Sequence, residues 1–262
     1  MLPRMSSNRV ISMSVIGVLL VSIPIGYLIL TRSPFDDRIQ AVFKAADLTT
    51  AYSQAVRTET DLGDRRLVVE GRYYIDRGTN MYASSATTTL ILHENGEGHS
   101  FSLDTLALSD RVYARVWTES SLLAPTLPAS EQWREFKRGE VPEKFTLIAR
   151  DGPIVDNLAL FRSQGLYLDP LSARSERALG SDQYFHYTFR LSEAALNEKG
   201  GILGSHAERL GPEGIIEAYL SKDTGELRLI VLRNVPYVST TTLDTMNITH
   251  LFAPPSLSEV LD

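Results

Sequence analysis

The chain has 262 residues, 43% of them hydrophobic, with 26 basic and 32 acidic side chains and no cysteine. That excludes disulfides, thiolate metal sites, thiol catalysis and a lipid-modified N-terminal cysteine. The first 33 residues hold three arginines and no acid, so the remainder sets 23 bases against 32 acids, a net −9 that makes a poor surface for nucleic acid or anionic lipid headgroups.

Residues 1–9 read as a short tail. From Val10 to Thr31 the chain runs 22 residues without a charge. A helix there reaches about 33 Å, enough to cross a hydrocarbon core. Each charge at its centre would cost roughly 2.5 to 3.5 kcal/mol, so their absence is a signal. A cleaved secretory signal would carry a shorter apolar run and small residues before the cut. This run is longer, and its exit reads YLILTRSPFDD. We expect residues 10–31 to be an uncleaved single-pass transmembrane anchor in a cell membrane. Arg4 and Arg9 on one side outweigh Arg32 and Arg38, offset by Asp36 and Asp37, on the other. That slight bias, with a large domain following, places the N-terminus in the cytoplasm and the main domain, 34–256, outside it.

Ser33 caps a predicted helix that opens with Pro34 and acids in its first turn. Ile39, Val42, Phe43 and Ala46 fall on one face of it. Strand signals then follow in series. Tyr52–Thr60 alternates loosely, DLGD turns the chain, and RRLVVEGRYYID (65–76) puts Leu67, Val69, Tyr73 and Ile75 on one face. Gly71 in its middle suggests a bulge or bend. MYASSATTTLILHE (81–94), HSFSLDTLAL (99–108), RVYARVW (111–117) and QWREF (132–136) read as further strands, with ENGEG as a hairpin turn. Residues 119–130 form a Ser/Pro/Ala loop. Residues 140–180, punctuated by proline and glycine, read as short helices and loops. QYFHYTFRL (183–191) resumes the strands, and a helix opens at Ser192 and ends at Gly200-Gly201. GIIEAYL and ELRLIVLRN flank SKDTG as a hairpin, VSTTTLDTMNITHLF (238–252) is the last strand, and 257–262 is a C-terminal tail.

The expected class is α+β, mainly β. About ten strands in one sheet rarely stay flat, so we expect a strongly curved antiparallel sheet or incomplete barrel. Helices lie on its concave side, and one N-terminal transmembrane helix precedes it.

Catalytic signals are few. HENGEGH groups His93, Glu94, Glu97 and His99, but Asn95-Gly96 forces a turn that splays them, unlike two histidines on one helix face. His186, between Phe185 and Tyr187, reads as a satisfied sheet residue. No G-x-S-x-G, G-x-G-x-x-G or Walker loop occurs. Trp117 and Trp133 read as core or seam anchors. Asn247-Ile248-Thr249 is a glycosylation sequon inside a predicted strand. No catalytic residue, metal ligand or cofactor is nominated, and we expect a protein that is not an enzyme.

The order of these segments resembles the LolA/LolB-like superfamily, with its LppX/LprG-type and RseB-type branches. The resemblance spans about residues 35–256. It rests on VVEGRYYID beside MYASS, on SDRVYARV followed by EQWREF, and on YTFRLSEAAL, GIIEAYLSKDTGELRLIVLRN and TTTLDTMNITHLFAPP. Family members carry a lipid-modified cysteine or a cleaved signal; the uncharged stretch here departs from both and argues against a diffusing shuttle. The resemblance implies a hydrophobic cavity between sheet and helices that holds the acyl chains of a lipid or lipoprotein, in transport or envelope maintenance. Candidate lining residues are Leu67, Val69, Tyr73 and Ile75 of the sheet with Ile154, Leu158 and Phe161 of a lid. Core packing is the competing role for each. A resemblance to the RseB branch implies a different use, a tethered protein-interaction or envelope-sensing module with an envelope protein as partner.

Overall fold

The computed structural model describes residues 37–118, 120, 130–141, 156–162, 166–172, 174–246 and 252–261. The expected anchor at 10–31, the Ser33-Pro34 cap, Ile154 and the sequon at 247–249 lie outside them. Among the described residues no helix is long and apolar enough to cross a membrane.

Alternation of apolar and polar residues builds two runs of strands. The first is β1 (Ala51–Asp61), β2 (Arg65–Asp76), β3 (Met81–Leu92), β4 (Gly98–Ala107), β5 (Arg111–Thr118) and β6 (Ser130–Lys137). Each pairs antiparallel with the next. The second run is β7 (Leu168–Pro170), β8 (Ser175–Leu179), β9 (Asp182–Leu191), β10 (Ile215–Ser221), β11 (Leu227–Asn234) and β12 (Tyr237–Met246). Short β7 and β8 share the far edge of β9. β1 pairs antiparallel with β12 and joins the two runs, with Thr60 opposite Tyr237 and Val56 opposite Thr241. β13 (Val260–Leu261) adds a parallel contact on β6. Among the described residues the result is one sheet of 13 strands, antiparallel apart from β13, whose path ends at β13 and β7 and does not close.

Few helices accompany it: α1 (Asp37–Leu48), a 3-10 helix (Asn157–Phe161), α2 (Glu193–Leu196) and α3 (Gly201–Leu210). They share one face of the sheet. Phe43 of α1, Phe161 of the 3-10 helix and Phe189 of β9 stack with ring centroids 5.7 to 6.1 Å apart. The register carries that face onward from Phe189 to Ile216, Leu232, Ser239 and Thr58, all of them buried. On α1 the expected stripe of Ile39, Val42, Phe43 and Ala46 is the buried one.

Several segments differ from the sequence expectation, each for a local reason. Gly71 makes no bulge, because β2 stays in register with both neighbours, opposite Val56 and Ala86. A Cβ there would lie 2.7 Å from the Tyr73 hydroxyl and 2.9 Å from the Ala86 methyl. The glycine makes room for the Tyr73 ring to lie back along its own strand. Ser192 does cap a helix, accepting from the Ala195 N–H at 3.2 Å. That helix is short, and Gly200-Gly201 separates it from α3 instead of ending the helical region. Gly200 takes φ 79°, and a Cβ on Gly204 of α3 would come within 3.2 Å of the Lys199 backbone. Residues 166–180 supply β7 and β8. Leu257–Glu259, expected in a tail, form a 3-10 turn with a Ser256–Glu259 capping box that leads into β13.

Candidate functional site

The face that carries the helices is not filled everywhere. Where β1, β2 and β12 pass the last turn of α3, a cavity of about 260 Å³ remains. Val56, Thr58 and Thr60 of β1 line it with Leu67, Val69 and Tyr73 of β2. Pro236, Tyr237 and Arg209 complete the described lining.

Strand pairing explains why these residues meet. Successive inward positions form three levels: Thr60 between Leu67 and Tyr237, Thr58 between Val69 and Ser239, and Val56 between Gly71 and Thr241. At about 3.3 Å of rise per residue the outer levels lie roughly 13 Å apart. The cavity therefore runs along the strands. Exposure fixes which end is open. Val56 and Tyr73 are buried, whereas Leu67 and Arg209 are half-buried and Pro236 is exposed.

At the closed end the Tyr73 ring covers Gly71. Its hydroxyl has no hydrogen-bond partner among the described residues, and burial alone pushes the phenol up to about 12. Thr58 donates its hydroxyl proton to Ser239 Oγ at 3.0 Å, a bond made inside the sheet. At the open end the Arg209 guanidinium carbon lies 5.9 Å from the centroid of the Tyr237 ring, within cation–π range. Arg209 is the one charged side chain among the described lining residues. The Asp61 N–H donates to the Pro236 carbonyl at 3.1 Å and ties the β1–β2 turn to the β11–β12 turn. Both turns carry exposed apolar side chains, Leu62 at 53% and Val235 at 93%.

Of the residues nominated from sequence, Leu67, Val69 and Tyr73 come together here. Ile75 shares their face but sits one level past Tyr73, opposite Tyr52 and Tyr82, and does not line the cavity. Leu158 and Phe161 are not lining either. Both are fully buried, Phe161 against Phe43 and Phe189. Their helix is fixed by polar contacts at its ends: Arg162 pairs with Asp156, both buried, and the Asn157 amide donates to Thr241 Oγ1. Val56, Thr58, Thr60, Arg209, Pro236 and Tyr237 were not nominated. Alternation along β1 could have found the first three; Arg209 sits on α3, where no such pattern pointed to it.

Other polar groups lie away from the cavity floor. Arg162 stands over the Tyr52 ring at 5.2 Å, and burial followed by Asp156 raises the Tyr52 phenol. His206 of α3 is also buried; desolvation brings it down to about 4, partly opposed by Asp156. On the opposite face of the sheet, His186 contacts Ser175 Oγ and Glu217 Oε2, each at 3.0 Å. Glu217 also accepts from the Tyr219 hydroxyl and pairs with Arg233. These contacts join β8, β9, β10 and β11 side by side. His93 contacts the Gly63 carbonyl and His99 contacts Ser120 Oγ, so the two histidines have different partners. Among the described residues no group of three or more His, Asp or Glu converges as a metal ion would require.

Fold and cavity together describe an open, mainly-β sheet with helices on one face and an apolar recess beneath α3. Similar solved structures include LprF from Mycobacterium bovis, at 11% identity over 84% of this chain and 96% of that one, TM-score 0.46. The Mycobacterium tuberculosis lipoprotein LppX matches at 11% identity over 82% of this chain and 96% of that one, TM-score 0.41. No family model matches the chain, and no curated protein does. At these identities the likeness is one of outline, and function is read from the cavity's own residues.

Proposed function

We propose that the chain is a membrane-anchored, extracytoplasmic module that binds the acyl chain of a lipid or lipoprotein, in transport or envelope maintenance. In this reading residues 10–31 span the membrane, and the domain holds its ligand on the hollow side of a bowed sheet, under α3. The observation that carries it is the elongated cavity, walled by Val56, Leu67, Val69, Tyr73, Pro236 and Tyr237 and opening at one end. Water in such a recess is readily displaced by hydrocarbon, with about 0.8 kcal/mol gained for each methylene buried. Tethering keeps the module beside the bilayer that supplies such chains and raises their effective concentration.

Native mass spectrometry of the full chain, released from nanodiscs, tests this. A bound mass of an acyl-chain lipid is expected. A protein that emerges without lipid and takes up none on incubation with lipid vesicles refutes it. Exposed Leu62 and Val235 beside the open end favour a second reading, a tethered docking module without transport. In that case crosslinks from Val235 to one envelope protein persist when Val69→Phe has filled the cavity.

A further inference from the structure

The closed end of the cavity points to a narrower ligand class: we infer that the Tyr73 ring is an end stop, and that the cavity takes an acyl chain of medium length. The inference rests on the acyl-chain reading above and adds the length of the chain and the residue that sets it.

The inward positions of β2 are Leu67, Val69, Gly71 and Tyr73 in turn. Gly71 has no side chain to present, and the ring of Tyr73 folds back toward the mouth to stand over it. Three distances fix that placement. A Cβ on Gly71 would meet the Tyr73 hydroxyl at 2.7 Å, its Cζ at 2.9 Å and the Ala86 methyl at 2.9 Å. Val56 of β1 and Ala86 of β3 flank Gly71 in register and form one buried cluster with Tyr73. These three side chains make a wall across neighbouring strands, and a chain lying along β1 and β2 meets it end on.

Core packing alone accounts for a buried aromatic ring here. It does not account for the hydroxyl, which is buried with no partner among the described residues. A phenylalanine would fill the same core without stranding a polar atom. What the oxygen adds is reach, because it is the atom of the ring system closest to the Gly71 position.

Length follows from the register. The mouth level at Thr60 and the wall level at Val56 are four residues apart on β1, roughly 13 Å at about 3.3 Å of rise per residue. An extended chain with bonds of ~1.5 Å advances ~1.3 Å per carbon, so that length takes about ten carbons. Methylenes beyond that number buckle against the wall or stay outside the mouth. Either way they lose apolar contact that a bilayer would give them, which weakens retention about fourfold for each carbon.

The bilayer supplies the reference phase for the test. 1-Alkanols with even chains from octanol to hexadecanol are loaded, each at the same mole fraction, into phosphatidylcholine nanodiscs that carry the full chain. Native mass spectrometry then reads the fraction of protein that retains each alkanol. Cavity and bilayer bury a methylene alike, so retention should stay level up to about ten carbons and fall about fourfold for each one beyond. Tyr73→Leu removes the reach over Gly71 and should move the fall-off to chains about two carbons longer. Val56→Phe thickens the same wall and should move it about two carbons the other way. The shifts have opposite signs, so a general loss of stability does not mimic both, and far-UV circular dichroism checks that each variant is folded. If Tyr73→Leu does not fold, the wild-type profile and Val56→Phe still decide. Retention that stays level to hexadecanol in the wild type, or a fall-off that neither substitution moves, overturns the inference and leaves the acyl-chain reading standing. If no alkanol of any length is retained, the acyl-chain reading fails and takes this inference with it.

Discussion

Acidification puts the burial of His206 to a quantitative test. Its side chain is buried, 4% exposed, with Nε2 unpartnered among the described residues. In the unfolded chain this histidine takes up a proton near pH 6.5; in the folded protein it does so only near pH 4, because burial penalises the cation more than Asp156 favours it. Between those values the unfolded state binds more protons. Stability from this group is therefore complete above pH 6.5, falls as the pH drops through the window, and levels off below 4. Each pH unit across the window is worth ~1.36 kcal/mol, so the full loss is of the order of 3 kcal/mol. Carboxylates titrate in the same range, so the measurement is a difference against His206→Leu. Urea denaturation of both chains, followed by far-UV circular dichroism at pH 7 and pH 4, should show the wild type losing more stability. At a slope of roughly 1 to 3 kcal/mol per molar urea, the wild-type midpoint should drop by about 1 M more than that of His206→Leu. Parallel pH profiles for the two proteins would show that His206 is solvated or protonated in the fold.

Gly71→Ala should destabilise by about 1 to 3 kcal/mol by overpacking, because the new methyl meets the Tyr73 ring and the Ala86 methyl. Adding Tyr73→Phe, which deletes the oxygen 2.7 Å away, should recover part of the loss in urea melts. Asp156→Ala strands the Arg162 guanidinium in a buried site and should cost about 3 to 5 kcal/mol, read from the same melts. Val69→Phe adds volume inside the empty recess. It should leave the thermal midpoint within a few degrees of wild type and weaken decanol binding at least tenfold by calorimetry.

Much of the sheet was legible because its strands are long and alternate cleanly. In β2 the positions of Leu67, Val69 and Tyr73 follow from period two alone, and these three reach the cavity. β7 and β8 carry too few residues, three and five, to show a period, and Pro170 disguises the first. α3 hides behind Gly200-Gly201 because the glycines look like a stop, whereas they allow a close turn between two helices. The rest of the recess depends on Thr60 meeting Tyr237 and on Arg209 arriving from α3. No local pattern encodes a pairing between the first strand and the twelfth. The lid role assigned to Leu158 and Phe161 missed for a related reason: their partners, Phe43 and Phe189, lie more than 110 and nearly 30 residues away along the chain.

The junction of β1 and β12 has a consequence for how the molecule forms. Each run of strands can zip up through short hairpins, but the junction joins residues such as Thr58 and Ser239, 181 positions apart. Loop closure over that distance is slow and opposes early pairing. The cavity has this junction as its floor, so it exists only after both halves have met. A bound chain would then act as a clasp across the last joint to be made, raising the barrier to unzipping without touching either half's own hairpins.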